Sequence, residues 1–403
     1  MRDSIYMQYN PWWEEEYKPE GIVSRTPVLE KIEKWLKDGL IIILTGLRRI
    51  GKTTIMKLLI QKLIEAGINP REIFYVSLDD YALGSQSILE IVKEYRTLQK
   101  LPVEKKIYLF LDEVAYMDRF QQQLKTLHDR QNVKILASSS SSSVLKDKMA
   151  FLTGREIVIK IFPLEFSEYL VFRNIKIKKR DEHLEEKYFE EYLRTGGLPA
   201  YVLNPERQYL QTVIDDIIFK DIVAYHNIKN SQVIKDFFLL LMERAGKQVS
   251  INKVSKILKI SPDSAKRYLG FFEETYLVYT IQRHGTTNER LLSPQKMYAC
   301  DLGIRQLYTG FRDKGSVFEN YLFLVIQNKD PQLVNYVSEK GIEIDFIIDK
   351  RFLVEVKYYR TLNEKQERLF KDFKAPHKLM IQGIKEIAEL ERYFQAPPPG
   401  FRD

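Results

Sequence analysis

Residues 41–66 read IIILTGLRRIGKTTIMKLLIQKLIEA, and this stretch decides the fold of the amino-terminal part of the chain. Residues 41–44 are apolar throughout, which predicts a strand buried on both faces, as in a parallel sheet. From residue 53 to residue 66 the apolar positions recur at helical spacing. Residues 46–53, GLRRIGKT, lie between strand and helix and fit the phosphate-loop pattern G-x-x-x-x-G-K-[ST].

The residue types in this loop suit a nucleoside triphosphate. Glycines let backbone N–H groups approach phosphate oxygens, and the helix N-terminus adds partial positive charge. Lys52 supplies an ammonium group for the β and γ phosphates, and Thr53 supplies a hydroxyl for Mg²⁺. The predicted nucleotide-binding residues are Gly46, Leu47, Arg48, Arg49, Ile50, Gly51, Lys52, Thr53 and Thr54, with Ser138 from a later strand.

A second buried strand, residues 107–111, ends in two carboxylates. Ligands of open α/β sheets bind at the carboxyl ends of the strands. We therefore expect Asp112 to hold Mg²⁺ and Glu113 to act as general base on the attacking water. The alternative is an ordinary strand end with solvated acids. The segment 72–100 forms a whole strand–helix unit between the loop helix and this strand, so the two strands are not consecutive.

Two weaker signals complete the predicted ATP site. The strand 133–137 runs into six serines, residues 138–143, and Ser138 or Ser139 is expected to sense the γ-phosphate or orient water. The alternative is a serine-rich loop with no such role. Arg155 precedes a fifth strand and is a candidate arginine finger, which would act on a neighbouring copy in a homo-oligomer. A surface or structural arginine is the alternative.

The bulk composition bounds the setting of the protein. Its net charge of +8 permits a polyanion partner such as DNA without requiring one. The single cysteine excludes an internal disulfide, which suits a reducing compartment. Residues 1–17 lack the apolar core of a signal peptide, and the apolar stretches are too short to cross a bilayer. We expect a cytoplasmic protein with no membrane association.

After the fifth strand the strand–helix alternation stops. Residues 165–245 are predicted to be helical, and residues 246–283 follow the order helix, turn, helix, strand that is typical of a winged helix. Ser250 and Ser261 are expected to cap its two helices, with Pro262 at the first helical position of the second. From Lys296 onward the pattern is mixed α/β, with strands expected near 333–337, 343–348 and 352–357.

These motifs together resemble the AAA-type ATPases of archaea and bacteria that carry a winged helix and a restriction-endonuclease-like domain. The resemblance implies use of ATP and Mg²⁺, a connection to DNA, and an α/β fold. It divides the chain into an ATPase core (1–163), a helical lid or linker (164–230), a winged helix (231–285) and a nuclease-like domain (286–403). The segments that carry it, in order, are Asn10-Pro11-Trp12-Trp13, the loop from Leu44 to Thr54, Leu111-Asp112-Glu113, Phe162-Pro163-Leu164, Gly196-Gly197-Leu198-Pro199, Lys220-Asp221-Ile222, Asp301-Leu302-Gly303, Phe318-Glu319-Asn320, Glu343-Ile344-Asp345-Phe346 and Glu355-Val356-Lys357.

The last two of these segments predict a nuclease-like cluster. Asp345 and Glu355 lie on two strands joined by a hairpin, and Lys357 shares a face with Glu355. With Glu319 from the preceding helix, the carboxylates are expected to hold a metal ion, and Lys357 to activate water. The set resembles the D…E-x-K core of restriction-type nucleases, although Ile344 stands where many of them have proline. A charged hairpin or an inert nuclease fold is the alternative.

The predicted winged helix carries Lys266, Arg267 and Tyr268 early in its second helix, where such helices meet DNA. A module that only packs against protein is the alternative. The sequence thus favours a DNA-associated ATPase with a role for DNA cleavage left open. A nucleotide-gated switch with an inactive nuclease-like domain is the second interpretation, and a protein-remodelling ATPase is the third.

Overall fold

The computed structural model describes residues 2–19, 21–141, 152–329, 331 and 333–395. The chain divides into two compact units, Met1–Ile161 and Phe162–Asp403. Within the described ranges, the chain has no helix with the length and apolar character that crossing a membrane requires.

In the described part of the first unit, five parallel strands form one sheet. These strands, β1 to β5, are Ile41–Thr45, Ile73–Ser77, Ile107–Asp112, Val133–Ser139 and Glu156–Lys160. They lie side by side in the order β2-β3-β4-β1-β5, with every neighbouring pair parallel. Strands β1 to β4 are almost wholly buried, as their apolar sequences require. The predicted α/β fold with a parallel sheet is confirmed.

Helices connect the strands of this sheet. In the described residues, α1 to α5 are Arg2–Tyr9, Thr26–Leu36, Lys52–Glu65, Ile88–Leu98 and Phe120–Arg130. Strand β4 lies between β1 and β3. The carboxyl ends of β1, β3 and β4, which are Thr45, Asp112 and Ser139, therefore lie at the same edge of the sheet.

The segment Asn10-Pro11-Trp12-Trp13 covers the outer edge of the sheet. Strand β2 is an edge strand, and such edges expose unpaired backbone groups. The Asn10 amide donates to Tyr75 O (2.9 Å) and accepts from Tyr75 N (2.6 Å). The indole N–H groups of Trp12 and Trp13 both donate to Ile73 O. Side chains here replace a missing neighbouring strand.

The second unit contains a sheet of seven described strands. They are numbered β6 to β12 and span Lys247–Val249, Val278–Arg283, Gln295–Ala299, Val334–Glu339, Ile342–Ile348, Phe352–Val356 and His377–Ile381. The helices of this unit, α6 to α17 among the described residues, are Phe166–Phe172, Glu185–Thr195, Pro199–Leu203, Arg207–Asp216, Ser231–Glu243, Ile251–Leu258, Pro262–Glu274, Thr287–Leu292, Leu302–Thr309, Lys314–Asn328, Glu364–Asp372 and Ile387–Gln395. A π-helical turn, Ile217–Ala224, continues α9.

The strand order of this sheet is β12-β11-β10-β9-β7-β8-β6. The pairs β7/β9 and β11/β12 are parallel, and the other pairs are antiparallel. Strand β7 pairs with both β8 and β9, so the sheet runs across the predicted domain boundary at 285/286. The division into domains at that position stays a prediction.

The helices α11 and α12 begin where the sequence indicates. Ser250 accepts a hydrogen bond from Lys253 N, and Ser261 accepts one from Ser264 N. Pro262 occupies the first helical position of α12, where its missing N–H is not needed. Elements α10, β6, α11, α12, β7, α13 and β8 follow one another, and β6, β8 and β7 form an antiparallel set.

A buried carboxylate explains two of the quoted sequence segments. Asp301 is 1% exposed and accepts from Gly197 N (2.7 Å) and Ile304 N (3.0 Å). Gly196 has a φ of +76°, and a Cβ there would lie 2.3 Å from Gly303 N. Glycine is therefore required for this close approach. Burial raises the pKa of Asp301 to about 6, against the effect of its backbone hydrogen bonds.

Candidate functional site

The loop between β1 and α3 has the conformation that its glycines permit. Gly46 has a φ of +145°, and a Cβ on it would lie 2.4 Å from Ile161 O. Gly51 precedes α3 with a φ of +98°. Leu47 and Ile50 are buried and fix the loop to the core, whereas Arg48 is half-buried. Arg49 (φ +65°) and Thr53 are exposed, and Thr54 is half-buried.

Lys52 lies at the centre of this loop. Its side chain is 5% exposed, and its ammonium donates to Gly46 O (3.2 Å) and Leu47 O (3.3 Å). The same ammonium is 3.7 Å from Glu113 Oε1. An ammonium group at a helix N-terminus, here bonded to two backbone carbonyls, is a donor suited to phosphate oxygens.

Asp112 is buried at the end of β3 and is surrounded by hydroxyl donors. Its Oδ2 accepts from Thr53 Oγ1 (2.5 Å) and from Tyr75 OH (2.9 Å). Its Oδ1 accepts from Ser138 Oγ. Burial and the charge of Asp112 raise the pKa of Tyr75, so this phenol stays a donor. Thr53 and Asp112, the two predicted Mg²⁺ ligands of this unit, are thus in direct contact.

Glu113 is held by serines of β4 and the turn after it. Its backbone is left-handed, with a φ of +54°, which few non-glycine residues adopt. Its backbone N–H donates to Ser138 Oγ (3.0 Å). Its Oε2 accepts from Ser140 N (3.1 Å) and Ser140 Oγ (2.9 Å). The carboxylate is therefore fixed in place, with 19% of its side chain exposed.

The structure separates the two serines that the sequence proposed together. Ser138 contacts Asp112 and the backbone of Glu113, whereas Ser139 Oγ donates to Ser141 O (3.1 Å). Residues 142 and 143 of the serine run lie outside the described residues. The sequence analysis did not predict Tyr75 or Ser140 as part of the site. Tyr75 could have been found, because it is a tyrosine within the apolar strand that lies next to β3.

Arg155 lies directly before β5, at the edge of the sheet opposite the loop. Its Nε forms an ion pair with Asp129 Oδ1 at 2.9 Å, and about a third of its side chain is exposed. The structure does not bring Arg155 to the phosphate loop of its own chain. Its role as an arginine finger toward a neighbouring copy stays a prediction.

The oxygen donors beside the loop are those that Mg²⁺ prefers. Thr53 presents a hydroxyl and Asp112 a carboxylate at the end of the loop. Both are oxygen donors, whereas nitrogen or sulfur donors would favour another metal. The residues present therefore fit a magnesium ion bound together with phosphate.

The predicted nuclease-like residues also converge. Asp345 on β10 forms hydrogen bonds with Glu355 and Val356 across the hairpin. Asp345 N donates to Glu355 Oε2 (3.1 Å), and Val356 N donates to Asp345 Oδ2 (3.0 Å). Lys357 Nζ forms an ion pair with Glu355 Oε1 at 2.7 Å. Glu319 on α15 is buried in the same cluster.

A residue that the sequence analysis missed occupies the middle of this cluster. Lys296 on β8 is 1% exposed, and its ammonium contacts three carboxylates. The distances are 2.9 Å to Asp345 Oδ1, 2.8 Å to Glu319 Oε1 and 2.5 Å to Glu343 Oε1. Tyr298 OH also donates to Glu319 Oε1 (2.8 Å), and Gln248 donates to Glu343 Oε2 (2.7 Å).

The ionisation of this cluster follows from burial and from its neighbours. Burial alone would lower the pKa of Lys296, but Asp345, Glu319 and other acidic groups raise it well above its ordinary value. Burial and the charge of Asp345 raise the pKa values of both Glu319 and Glu355. Lys296 is therefore charged at neutral pH. Among the described residues, no group of three or more His, Cys, Asp or Glu side chains is arranged to hold a metal ion.

Basic side chains are exposed on the neighbouring helices α11 and α12. Lys266 and Arg267 project from the second turn of α12 into solvent, and Tyr268 beside them is half-buried. Three further exposed lysines lie on or directly after α11: Lys253, Lys256 and Lys259. The three acids on α12, Asp263, Glu273 and Glu274, reduce this positive charge only in part.

Comparison with known proteins identifies the first unit. Residues 38–170 match the family model described as an AAA domain, a range that contains the loop, Asp112, Glu113 and Ser138. Residues 186–315 match a model described as a domain of unknown function. Residues 38–170 are thus similar to an AAA domain, whereas the second match assigns no activity.

Relatives extend over most of the chain. An uncharacterized protein of Methanocaldococcus jannaschii is 27% identical over 383 residues, covering 90% of this chain and 85% of the relative. An uncharacterized protein of Haemophilus influenzae is 26% identical over 352 residues, covering 82% of this chain and 85% of the relative. The solved structure of the Aeropyrum pernix Orc1 protein in complex with DNA covers 78% of this chain and 96% of its own, at 13% identity. Its TM-score of 0.32 is too low to carry an argument.

Proposed function

We propose that this protein binds ATP with Mg²⁺ at the P-loop, hydrolyses it, and couples the nucleotide cycle to DNA binding by the second unit. One observation carries the ATPase part. Lys52, Thr53, Asp112 and Glu113 come together at one sheet edge, with Thr53 Oγ1 2.5 Å from Asp112 Oδ2 and Lys52 Nζ 3.7 Å from Glu113 Oε1.

Each residue has a distinct task in this proposal. The Lys52 ammonium would exchange its loop carbonyl partners for phosphate oxygens. Thr53 and Asp112 would hold Mg²⁺, which neutralises phosphate charge when bound. Glu113 would accept a proton from the attacking water, held in position by the two Ser140 hydrogen bonds. Ser138 links the two acids by bonding to Asp112 and to the backbone of Glu113.

The ATPase proposal is tested by separating binding from chemistry. A fluorescent ATP analogue measures binding, and phosphate release measures hydrolysis, both with Mg²⁺. Glu113→Gln keeps the size of the side chain but removes the base, so it should bind ATP and hydrolyse it at least about 100-fold more slowly. Lys52→Ala should lose binding itself. Failure of the unmodified protein to bind at millimolar ATP, or hydrolysis by Glu113→Gln at the unmodified rate, would refute the proposal.

The DNA part of the proposal is supported by topology and charge. The order α10-β6-α11-α12-β7-α13-β8, with β6, β8 and β7 in an antiparallel set, supports the interpretation of this segment as a winged helix. Its second helix presents Lys266 and Arg267 to solvent. Exposed cations near the start of such a helix suit contacts to DNA phosphates.

Salt dependence distinguishes this role from simple packing against protein. Removing two phosphate contacts by Lys266→Ala/Arg267→Ala should weaken duplex binding and flatten the slope of log K against log salt by about 2. The matched control is Lys178→Ala/Lys179→Ala, which removes the same charge from exposed positions outside the winged helix. Equal loss in both double variants would indicate a general charge effect and contradict the proposed interface.

A second candidate function is a nucleotide-gated switch whose nuclease-like cluster performs no cleavage. The observation that favours it is the Lys296 ammonium among the three carboxylates. Branched, single-stranded and supercoiled DNA incubated with Mg²⁺ or Mn²⁺ separates the candidates. Cuts that Asp345→Ala or Lys357→Ala abolishes would support a nuclease, and intact DNA under every metal would support the switch.

A further inference from the structure

The acidic cluster of the second unit contains a cation of its own. Lys296 Nζ lies within 2.9 Å of oxygens from Glu319, Glu343 and Asp345. These carboxylates come from α15 and from β10, whereas the lysine comes from β8. Strands β7 and β9 separate β8 from β10 in the sheet order, so the sheet curves to bring Lys296 to the acids.

A divalent ion does not fit beside this ammonium. Mg²⁺ requires oxygens at about 2.0–2.1 Å and usually keeps several water ligands. An ion bound to these three carboxylates would occupy the space that Nζ fills. The lysine is 1% exposed and Asp345 is 7% exposed, so the pocket has little room for metal-bound water.

Several other oxygens of the cluster are also engaged within the protein. Asp345 Oδ2 accepts from Val356 N, and Glu355 Oε2 accepts from Asp345 N. Glu343 Oε2 accepts from Gln248, and Glu355 Oε1 forms an ion pair with Lys357. The acids that the sequence offered as metal ligands therefore have cationic partners within the protein. Glu355 Oε1 is buried and forms no hydrogen bond among the described residues, so the Lys357 ammonium compensates its charge alone.

We infer that the Lys296 ammonium permanently takes the place of a divalent metal in this nuclease-like cluster. The cluster places three carboxylates around one cation, and that cation is covalently part of β8. It consequently binds no Mg²⁺ or Mn²⁺ in the unmodified protein and serves to join β8, β10 and α15. Removal of the ammonium leaves three facing carboxylates and creates a site for one divalent ion.

Counting bound Mn²⁺ tests this inference on the full chain. Free Mn²⁺ is followed by electron paramagnetic resonance in four proteins: unmodified, Asp345→Asn, Lys296→Ala and Lys296→Ala/Asp345→Asn. Ions at the P-loop unit are common to all four and cancel in the comparison. The unmodified protein and Asp345→Asn should bind equal numbers of ions. Lys296→Ala should bind one more per chain, and the double variant should lose it again.

Each other result overturns the inference. An extra ion in the unmodified protein relative to Asp345→Asn, with or without duplex DNA, would mean that the ammonium coexists with metal or yields to it. A folded Lys296→Ala with no additional ion would mean that the three carboxylates do not bind a divalent ion even without the ammonium. Should Lys296→Ala fail to fold, the comparison of the unmodified protein with Asp345→Asn still decides. Glu343→Gln, at a side chain 30% exposed, repeats that comparison with a milder change.

Discussion

Gly46→Ala should destabilise the first unit far more than an alanine at another glycine with positive φ. The matched control is Gly67→Ala, directly after α3, where φ is +88° and a new Cβ meets nothing within 4 Å. That control isolates the backbone penalty, about 1 kcal/mol. At Gly46 the Cβ would lie 2.4 Å from Ile161 O, which is a backbone atom and cannot rotate away.

The extra cost at Gly46 follows from what has to move. Ile161 N donates to Thr45 O (2.7 Å), so displacing its carbonyl weakens the pairing between the end of β1 and the residue after β5. Overpacking costs about 1–3 kcal/mol and a lost hydrogen bond about 1 kcal/mol. With the backbone penalty, Gly46→Ala should lose about 3–5 kcal/mol, a large part of a typical domain stability of about 5–15 kcal/mol.

Tryptophan fluorescence during urea unfolding measures this loss selectively. All three tryptophans, Trp12, Trp13 and Trp35, belong to the first unit, so their emission reports its unfolding in the full chain. Gly46→Ala should also lose ATP binding because the loop is displaced, whereas Gly67→Ala should retain it. Equal urea midpoints for the two variants would refute the reasoning, since they would show that the Ile161 contact imposes no cost.

Two further predictions concern the support of Glu113 and the buried Asp301. Ser140→Ala removes a 2.9 Å hydrogen bond to Glu113 Oε2, so it should lower kcat for ATP about 10-fold with little change in KM. The control is Ser139→Ala, whose hydroxyl bonds only to backbone in that turn and whose loss should have the smaller effect. The reverse order in steady-state assays would contradict the role given to Ser140. Asp301 has a folded pKa raised from 3.8 to about 6, so its contribution to stability is complete below pH 4 and is lost as pH rises through 6, a change of about 3 kcal/mol. The free energy of unfolding should be measured from pH 4 to 8 for Asp301→Asn and the unmodified protein. The difference between the two proteins should be largest at the acidic end of this range. A difference that does not change with pH would show that Asp301 does not titrate there.

The features whose place in the structure can be predicted from the sequence depend on short stretches of chain. The loop residues and Lys52 lie within eight positions, and their strand–loop–helix context is local. Ser250 and Ser261 cap α11 and α12 for the same reason, because a cap bonds to a backbone group three residues away. Asp112 and Glu113 are predictable because an apolar strand that ends in acids has one place in a parallel sheet.

The parts that the sequence does not reveal depend on pairings between distant strands. Lys296 lies 49 positions before Asp345, and its neighbours in the chain, Gln295 and Met297, give no sign of an acidic partner. Tyr75 reaches Asp112 only because β2 pairs with β3 in register. The continuity of the sheet from β6 to β12 is equally invisible, since the β7/β9 pairing joins segments more than 50 residues apart. Such contacts follow from topology, which no local pattern encodes.

The two acidic centres of this chain differ in the kind of donor that surrounds them. Asp112 accepts from three neutral hydroxyls, those of Thr53, Tyr75 and Ser138, and hydroxyls can rotate to admit a cation. Asp345 faces the Lys296 ammonium, which compensates its charge and cannot leave without stranding the buried acids Asp345 and Glu319. A buried carboxylate is available to bind a metal ion only when no other cation compensates its negative charge. Under our two proposals, the P-loop of this chain would carry the metal-dependent step and the nuclease-like cluster would be a fixed ionic joint. The residue that makes the difference is Lys296 on β8.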